Sequence, residues 1–264
     1  MTKKITIDPV AVNSKIVNWL RDYAINAKSN GFIVGVSGGI DSAVTSSLCA
    51  QTGLPTWCVE MPIHQAENQV ARGLEHITQL KSRFPNVQHA KTDLTEVFET
   101  FKSTLPSCSD LARYNLTLAN TRARIRMTTL YFHAGIHGAL VAGTGNKIED
   151  FGVGFYTKYG DGGVDISPIA DLMKSEVYTL GAYLNVPESI LNAAPTDGLF
   201  GDDRTDEDQL GASYDELEWA MTVCEQGEDS EALNEREKIV LGIYKRLNAI
   251  NQHKMVAIPV CKID

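Results

Sequence analysis

The chain has 264 residues, 43% of them hydrophobic and 22% charged, with a formal net charge of -9. A chain of this length buries roughly three-quarters of its unfolded surface, so it needs no covalent staples to fold. The acidic balance argues against a broad nucleic-acid footprint, and no apolar run approaches the roughly 20 residues of a membrane span.

The opening "MTKKITIDPV" lacks the apolar core of a signal peptide. Five scattered cysteines, Cys49, Cys58, Cys108, Cys224 and Cys261, make no CxxC pair and read as reduced thiols of a cytoplasmic protein. Acidity concentrates at 201–209 and 225–237, which read as solvated loop and helix surface.

Asp8-Pro9 is an N-cap and first-turn pair, and Val12, Ile16, Trp19, Tyr23 and Ala27 then recur at helical spacing. The apolar run 31–36 predicts a strand, followed by a helix from about 41 to 52. A second strand lies in 54–62, ended by Pro62; a helix covers 64–80, with Val70, Leu74 and Ile77 on one face. A third strand is expected in 86–94 and a short helix over 95–104. Residues 110–135 carry the longest helical pattern, with Leu111, Leu118, Ile125 and Phe132 seven apart. The run 138–146 is a strand entering a small-residue loop, and helices follow at 171–185, 213–223 and 231–250.

Strands alternating with helices predict an α/β fold, a parallel sheet covered on both faces. Such sheets bind ligands outside the carboxyl ends of their strands. Ser37–Ser42 and Gly143–Asn146 both fall at that edge. No repeat, linker or low-complexity break appears, so residues 1–264 are expected to form one domain.

The stretch "GVSGGIDS" (35–42) carries the chemistry. Gly38 and Gly39 permit tight or positive-φ backbone and close approach to a ligand. The helix that follows directs free amides and its dipole at an anion. No lysine follows the glycines and only two glycines are present, so this is neither GxxxxGK[ST] nor GxGxxG. Asp41 would repel a phosphate unless a Mg²⁺ ion lay between them. The loop therefore reads as a cradle for a metal-bound polyphosphate, although a Gly-Gly turn capped by serine and aspartate would use the same residues.

Farther on, "GTGNKIEDFGVGFYTKYGDGGVDISPIADLMKSEVY" (143–178) supplies a second carboxylate, Glu149, at the same strand edge. Lys158 and Asp165 flank its glycine-rich turn, Phe151, Phe155 and Tyr159 offer aromatic faces, and Lys174 stands near the next helix start. A cation there would stabilise charge developing on a departing phosphate group. Each taken singly is also explained as core, solvated surface or turn cap.

The loop resembles the pyrophosphate loop of the N-type ATP pyrophosphatases. The 143–178 segment, together with "NTRARIRM" (120–127), "AAPTDGLFGDDRTDEDQLG" (193–211) and "NQHKM" (251–255), is similar to the NAD synthetase family within that group. The resemblance implies a doubly wound, Rossmann-like parallel sheet of the adenine nucleotide alpha hydrolase-like type. It also implies adenylation of the deamido-NAD carboxylate by ATP, then attack by ammonia.

By the same resemblance, Gly35, Val36, Ser37, Gly38, Gly39, Ile40, Asp41 and Ser42, with Thr144, Lys174 and Thr196, would bind ATP. Asp41 and Glu149 would hold Mg²⁺. Arg124, Phe155, Lys158, Asp165, His253 and Lys254 would hold deamido-NAD. Asp41, Ser42, Asp165 and Lys174 would be the catalytic set, with Asp165 ordering ammonia or taking its proton. A homodimer packed along the helix at 110–135 is implied as well. Free ammonia is the expected donor, because the first helix begins near residue 8 and leaves no room for a hydrolase domain before it. Residues 199–211, glycine-rich and acidic, are expected to form a mobile lid.

Helical geometry puts Arg122 and Arg126 on one face and Arg124 roughly opposite, so the three do not grip one phosphate. Two features depart from the family pattern. "NKIEDFG" is one residue longer than in ammonia-using bacterial members, and Glu60 stands where many members carry a basic residue. GMP synthetase, a tRNA-modifying enzyme and a non-catalytic nucleotide sensor stay open as alternatives. The first would depend on xanthylate, the second would show a basic face, and the third would lack Glu149 and the Lys158–Asp165 turn.

Overall fold

The computed structural model describes residues 7–196, 205–227 and 233–263. Helix α1, Pro9–Asn26, starts where expected: Asp8 accepts from the Val10 and Ala11 amides, and Pro9 occupies the first turn. Its buried face is Asn13, Val17, Leu20 and Ala24, displaced by one residue from the stripe read in the sequence. Trp19 and Tyr23 stand in solvent at 43% and 42% exposure, their rings 5.6 Å apart.

Strands β1 (Phe32–Gly35), β2 (Thr56–Glu60), β3 (Val87–Lys91) and β4 (Leu140–Val141) form a parallel sheet in the order β3-β2-β1-β4. Phe32 pairs with Thr56 and Leu140, and Thr56 with Val87, so the strands end at one edge. The change of direction beside β1, between β2 and β4, is where such sheets open a ligand crevice. The fourth strand is much shorter than the run 138–146 suggested. Past a bridge from Ala142 to Ile166, the chain turns to build the site.

Helices α2 (Ile40–Gln51) and α3 (Glu67–Arg83) follow β1 and β2. Alpha2 is buried almost all round, and its Ser46 hydroxyl meets His76 Nε2 of α3 at 2.9 Å. His76 is 1% exposed; burial, then the nearby Arg83 charge, lowers its pKa to about 4, so it is neutral. On α3, Ile77 and Leu80 enter the core, whereas Leu74 is 46% exposed.

Helix α4 (Thr95–Ser103) leads to α5 (Leu111–His137), which Gly138 ends in a left-handed cap. Leu118 and Ile125 pack into the core, but Leu111 and Phe132 are 70% and 66% exposed. A seven-residue spacing drifts by roughly 20° per repeat around a straight helix, so the ends of the stripe rotate off the core.

After β4, residues Ile148–Val153 form a single π-helical turn, a feature the sequence did not announce. Helices α6 (Lys174–Tyr183), α7 (Glu188–Leu191) and α8 (Asp206–Leu210) follow, then α9 (Tyr214–Gln226) and α10 (Glu235–Met255). Alpha9 and α10 pack with the π-helix around Ile148, Leu217, Ala220, Val240 and Tyr244, a cluster separate from the core beneath the sheet. Ser213 and Asn234 close capping boxes at the starts of α9 and α10.

All five cysteines are free. Among the described residues, no helix is long and apolar enough to cross a membrane. Of the expected lid, 199–204 lie outside the described residues. Residues 206–210 form α8, where Asp206 is only 6% exposed and not the solvated acid expected.

Candidate active site

Beyond β1 the chain turns through Ser37, Gly38 and Gly39. Gly38 takes φ +84°, and a Cβ there would lie 2.4 Å from the Gln69 carbonyl oxygen, so only glycine fits. Ser42 Oγ donates to the Gly39 carbonyl at 3.0 Å and accepts from the Ser37 amide at 3.2 Å, which locks the turn to the helix it starts. Gly39 caps α2 without a side-chain acceptor. The first-turn amides, and the positive end of the helix, are left for an anion.

Across the cleft, Asn146 is fully buried; its Nδ2 donates to Asp41 Oδ1 at 3.1 Å and its Oδ1 accepts from the Glu149 amide at 3.2 Å. It ties the start of α2 to the π-helix. Lys174, 3% exposed at the first turn of α6, sends its ammonium to Asp41 Oδ2 at 2.6 Å and to Glu149 Oε1 at 3.0 Å. The Tyr214 hydroxyl donates to the same Glu149 oxygen at 2.6 Å, and its ring lies 4.7 Å from the Lys174 nitrogen.

Burial works against charge on Lys174, but Asp41 and Glu149 outweigh it and push its pKa up, so it is a cation. Asp41 is pulled upward by burial and by Glu149, against Lys174. Beside them, burial and then Glu149 and Asp161 raise the Asp150 carboxyl to about 8. Gly145 leaves room for it, since a Cβ there would stand 2.2 Å from Asp150 Oδ1.

The cleft holds about 290 Å³. Gly35, Val36, Ser37, Gly38, Gly39, Ile40, Asp41, Ser42, Thr144, Glu149, Phe155, Lys174 and Thr196, all singled out in the sequence, line it together. The other five do not. Arg124 donates to the Lys158 carbonyl at 3.3 Å, Lys158 reaches the His253 carbonyl, and Lys254 donates to the Gly154 and Tyr156 carbonyls at 2.8 Å. Arg124, Lys158, His253 and Lys254 thus form a linked group beside the cleft, where α5, the turn after the π-helix and the end of α10 meet. Asp165 lies apart from the cleft wall, its two oxygens accepting from the Tyr131 hydroxyl at 2.9 Å and the Val141 amide at 2.8 Å.

The three arginines divide as helical geometry required. Arg122 lies 4.3 Å over the Phe98 ring, and Arg126 donates to the Met61 carbonyl and to Gln65. Sequence reasoning missed Asp150, Asp161 and Arg72 as cleft residues and Tyr214 as a partner of Glu149; it marked Glu60 only as a departure from the family pattern, and the structure puts it in the cleft wall. Asp161 and Asp150 lay inside the quoted segment, next to residues that were named; nothing marked Tyr214, which arrives from a helix 65 positions beyond Glu149.

Two carboxylates aimed at one cationic point suit a Mg²⁺ ion, which takes one or two carboxylates and completes its shell with substrate phosphates and water. Among the described residues, no three His, Cys, Asp or Glu side chains converge to hold a metal unaided.

The family model described as NAD synthase matches residues 12–256. The NH(3)-dependent NAD(+) synthetase of Carboxydothermus hydrogenoformans is 35% identical over 91% of this chain and 92% of its own length. That of Mycoplasma genitalium is 37% identical, over 91% and 90%. Among solved structures, the NMN synthetase of Francisella tularensis superposes with a TM-score of 0.84 at 32% identity, covering 97% of this chain and all of that one. With the sheet order, the paired-glycine loop and the Asp41–Lys174–Glu149 triad in place, the chain belongs to the NAD synthase family.

Proposed function

We propose that this protein is an ammonia-dependent NAD⁺ synthetase. One observation carries the reading beyond family membership: the buried Asp41–Lys174–Glu149 triad sits at the mouth of the anion cradle formed by the paired-glycine loop. In the reaction, the nicotinate carboxylate of deamido-NAD attacks the α-phosphorus of ATP, and pyrophosphate leaves. Ammonia then adds to the activated carbonyl and loses a proton, and AMP departs with its electron pair. A free carboxylate resists amines because oxide would have to leave; adenylation replaces oxide with AMP.

The loop amides and Ser37 hold the phosphates, and Lys174 moves from its carboxylate partners toward the charge growing on the leaving group. Mg²⁺, held by Asp41 and Glu149, would supply charge neutralisation at that group. Arg124, Lys158, His253 and Lys254 supply the grip on the pyridine nucleotide. Asp165, bound to Tyr131 and Val141, acts by fixing the wall between β4 and α5 or by meeting a ligand from a second copy of the chain. Leu111, Leu116, Phe132 and Ile136, 52–70% exposed on α5, support a homodimer through that helix, which sedimentation at micromolar concentration checks. Free cysteines suit a reducing cytoplasm.

The Francisella structure favours a second reading, in which the substrate is the mononucleotide and the product NMN. Supplying ATP, Mg²⁺ and ammonium with either acid, and reading the nucleotides by chromatography, separates the two. We expect AMP and NAD⁺ from deamido-NAD. Faster turnover of nicotinate mononucleotide would select the second reading, and ADP as product would sink both.

A further inference from the structure

Where the family resemblance leads one to expect a basic residue at the end of β2, Glu60 stands, 4% exposed, its Oε2 accepting from His89 Nε2 at 2.6 Å. Glu60 is part of the wall of the cleft that also holds the phosphate loop. A carboxylate in that wall disfavours a polyanion unless a cation is supplied from elsewhere.

Two arginines line the cleft. Arg126 is directed at the Met61 carbonyl and Gln65, beyond the end of β2. Arg72, on α3, is directed at the phosphate loop itself: its Nε donates to the Gly38 carbonyl at 3.3 Å. The helix is pressed against the loop at this level. A Cβ on the neighbouring Gly73 would lie 3.6 Å from the Gly38 amide nitrogen and 3.7 Å from Glu60 Oε1. One of the five N–H groups of the guanidinium thus anchors it to the turn whose amides face the ligand. A planar fork held this way suits bidentate contact with phosphate oxygens.

The geometry points to Arg72 as a catalytic residue that grips the β and γ phosphates of ATP, delivering from α3 the cation that position 60 lacks. This rests on the ATP-dependent reading above. Its contact is with the leaving pyrophosphate, so the charge it meets grows as the α–β bond breaks.

Calorimetry with Mg-ATP, AMP and inorganic pyrophosphate on the wild type, Arg72→Gln and Arg72→Lys tests it, with the melting temperature of each unliganded protein as the check on folding. Arg72→Gln should weaken ATP and pyrophosphate by about 10- to 100-fold and leave AMP within about twofold. Arg72→Lys should restore part of the loss. Equal losses for ATP and AMP would mean that Arg72 only braces the loop, and an unchanged ATP affinity would mean that it touches nothing; either overturns the assignment. Failure of the wild type to bind ATP would instead overturn the functional reading.

Discussion

At the loop end of the cleft, Lys174 is 3% exposed and shares its ammonium between Asp41 and Glu149. In the open group beside the cleft, Lys158 and Lys254 donate to the backbone carbonyls of His253, Gly154 and Tyr156. The first arrangement is a closed set of charges assembled before any ligand arrives. The second holds its cations on neutral oxygens, so their charge is still available to an anion. A chain that must bind two anionic nucleotides and react them can keep one group of charges paired and the other attractive.

The sharpest way to break this contrast is Lys174→Met. It strands Asp41 and Glu149 together without their cation, which for a buried pair costs roughly 3–5 kcal/mol. We expect kcat/KM to fall at least about 1,000-fold, with a lowered melting temperature in the unliganded protein. Full stability in that variant would show that the carboxylates take up protons at no cost and that the triad is not a charge assembly.

In the open group, Arg124→Ala and Lys158→Ala should each raise KM for the pyridine nucleotide about 10- to 100-fold while leaving KM for ATP nearly unchanged. Comparable losses for both substrates would erase the distinction between the two groups.

A further effect, on stability alone, concerns the seam behind the cradle. His76 is neutral in the folded protein, with its pKa at about 4 against 6.5 for a free histidine. The unfolded chain therefore binds the extra proton between those values, and stability is lost as pH falls from 6.5 toward 4. The contribution is at most roughly 3 kcal/mol. His76→Gln should flatten that part of the urea-midpoint profile, and an unchanged slope would place the acid sensitivity elsewhere.

The cradle was legible in the sequence because it is local. A strand, two glycines and a helix start lie within 35–42, and backbone chemistry does the binding. The long helices were legible by period, although their faces were less so. Leu74 fits the apolar spacing yet points to solvent, while the polar His76 is buried against Ser46. Partners that meet only through tertiary packing left no local signal, as with Tyr214 on Glu149 and Asp165 on Tyr131. Nor does the sequence alone say that the acid at position 60 pairs with His89 on the next strand. A single π turn has no repeat to detect, since its i→i+5 bonding covers too few residues to set up a period.

That wide turn has a consequence for how this part of the chain tolerates change. The stretch "NKIEDFG", one residue longer than the family resemblance leads one to expect, runs into Ile148–Val153, and Glu149 and Phe155 lie either side of the middle of that turn. A bulge of this kind works as an expansion joint: chain can be added or removed there while the carboxylate before it and the aromatic ring after it keep their orientation. Variation in length between those two side chains is then a matter of slack, and it says little about whether the chemistry on either side has been kept.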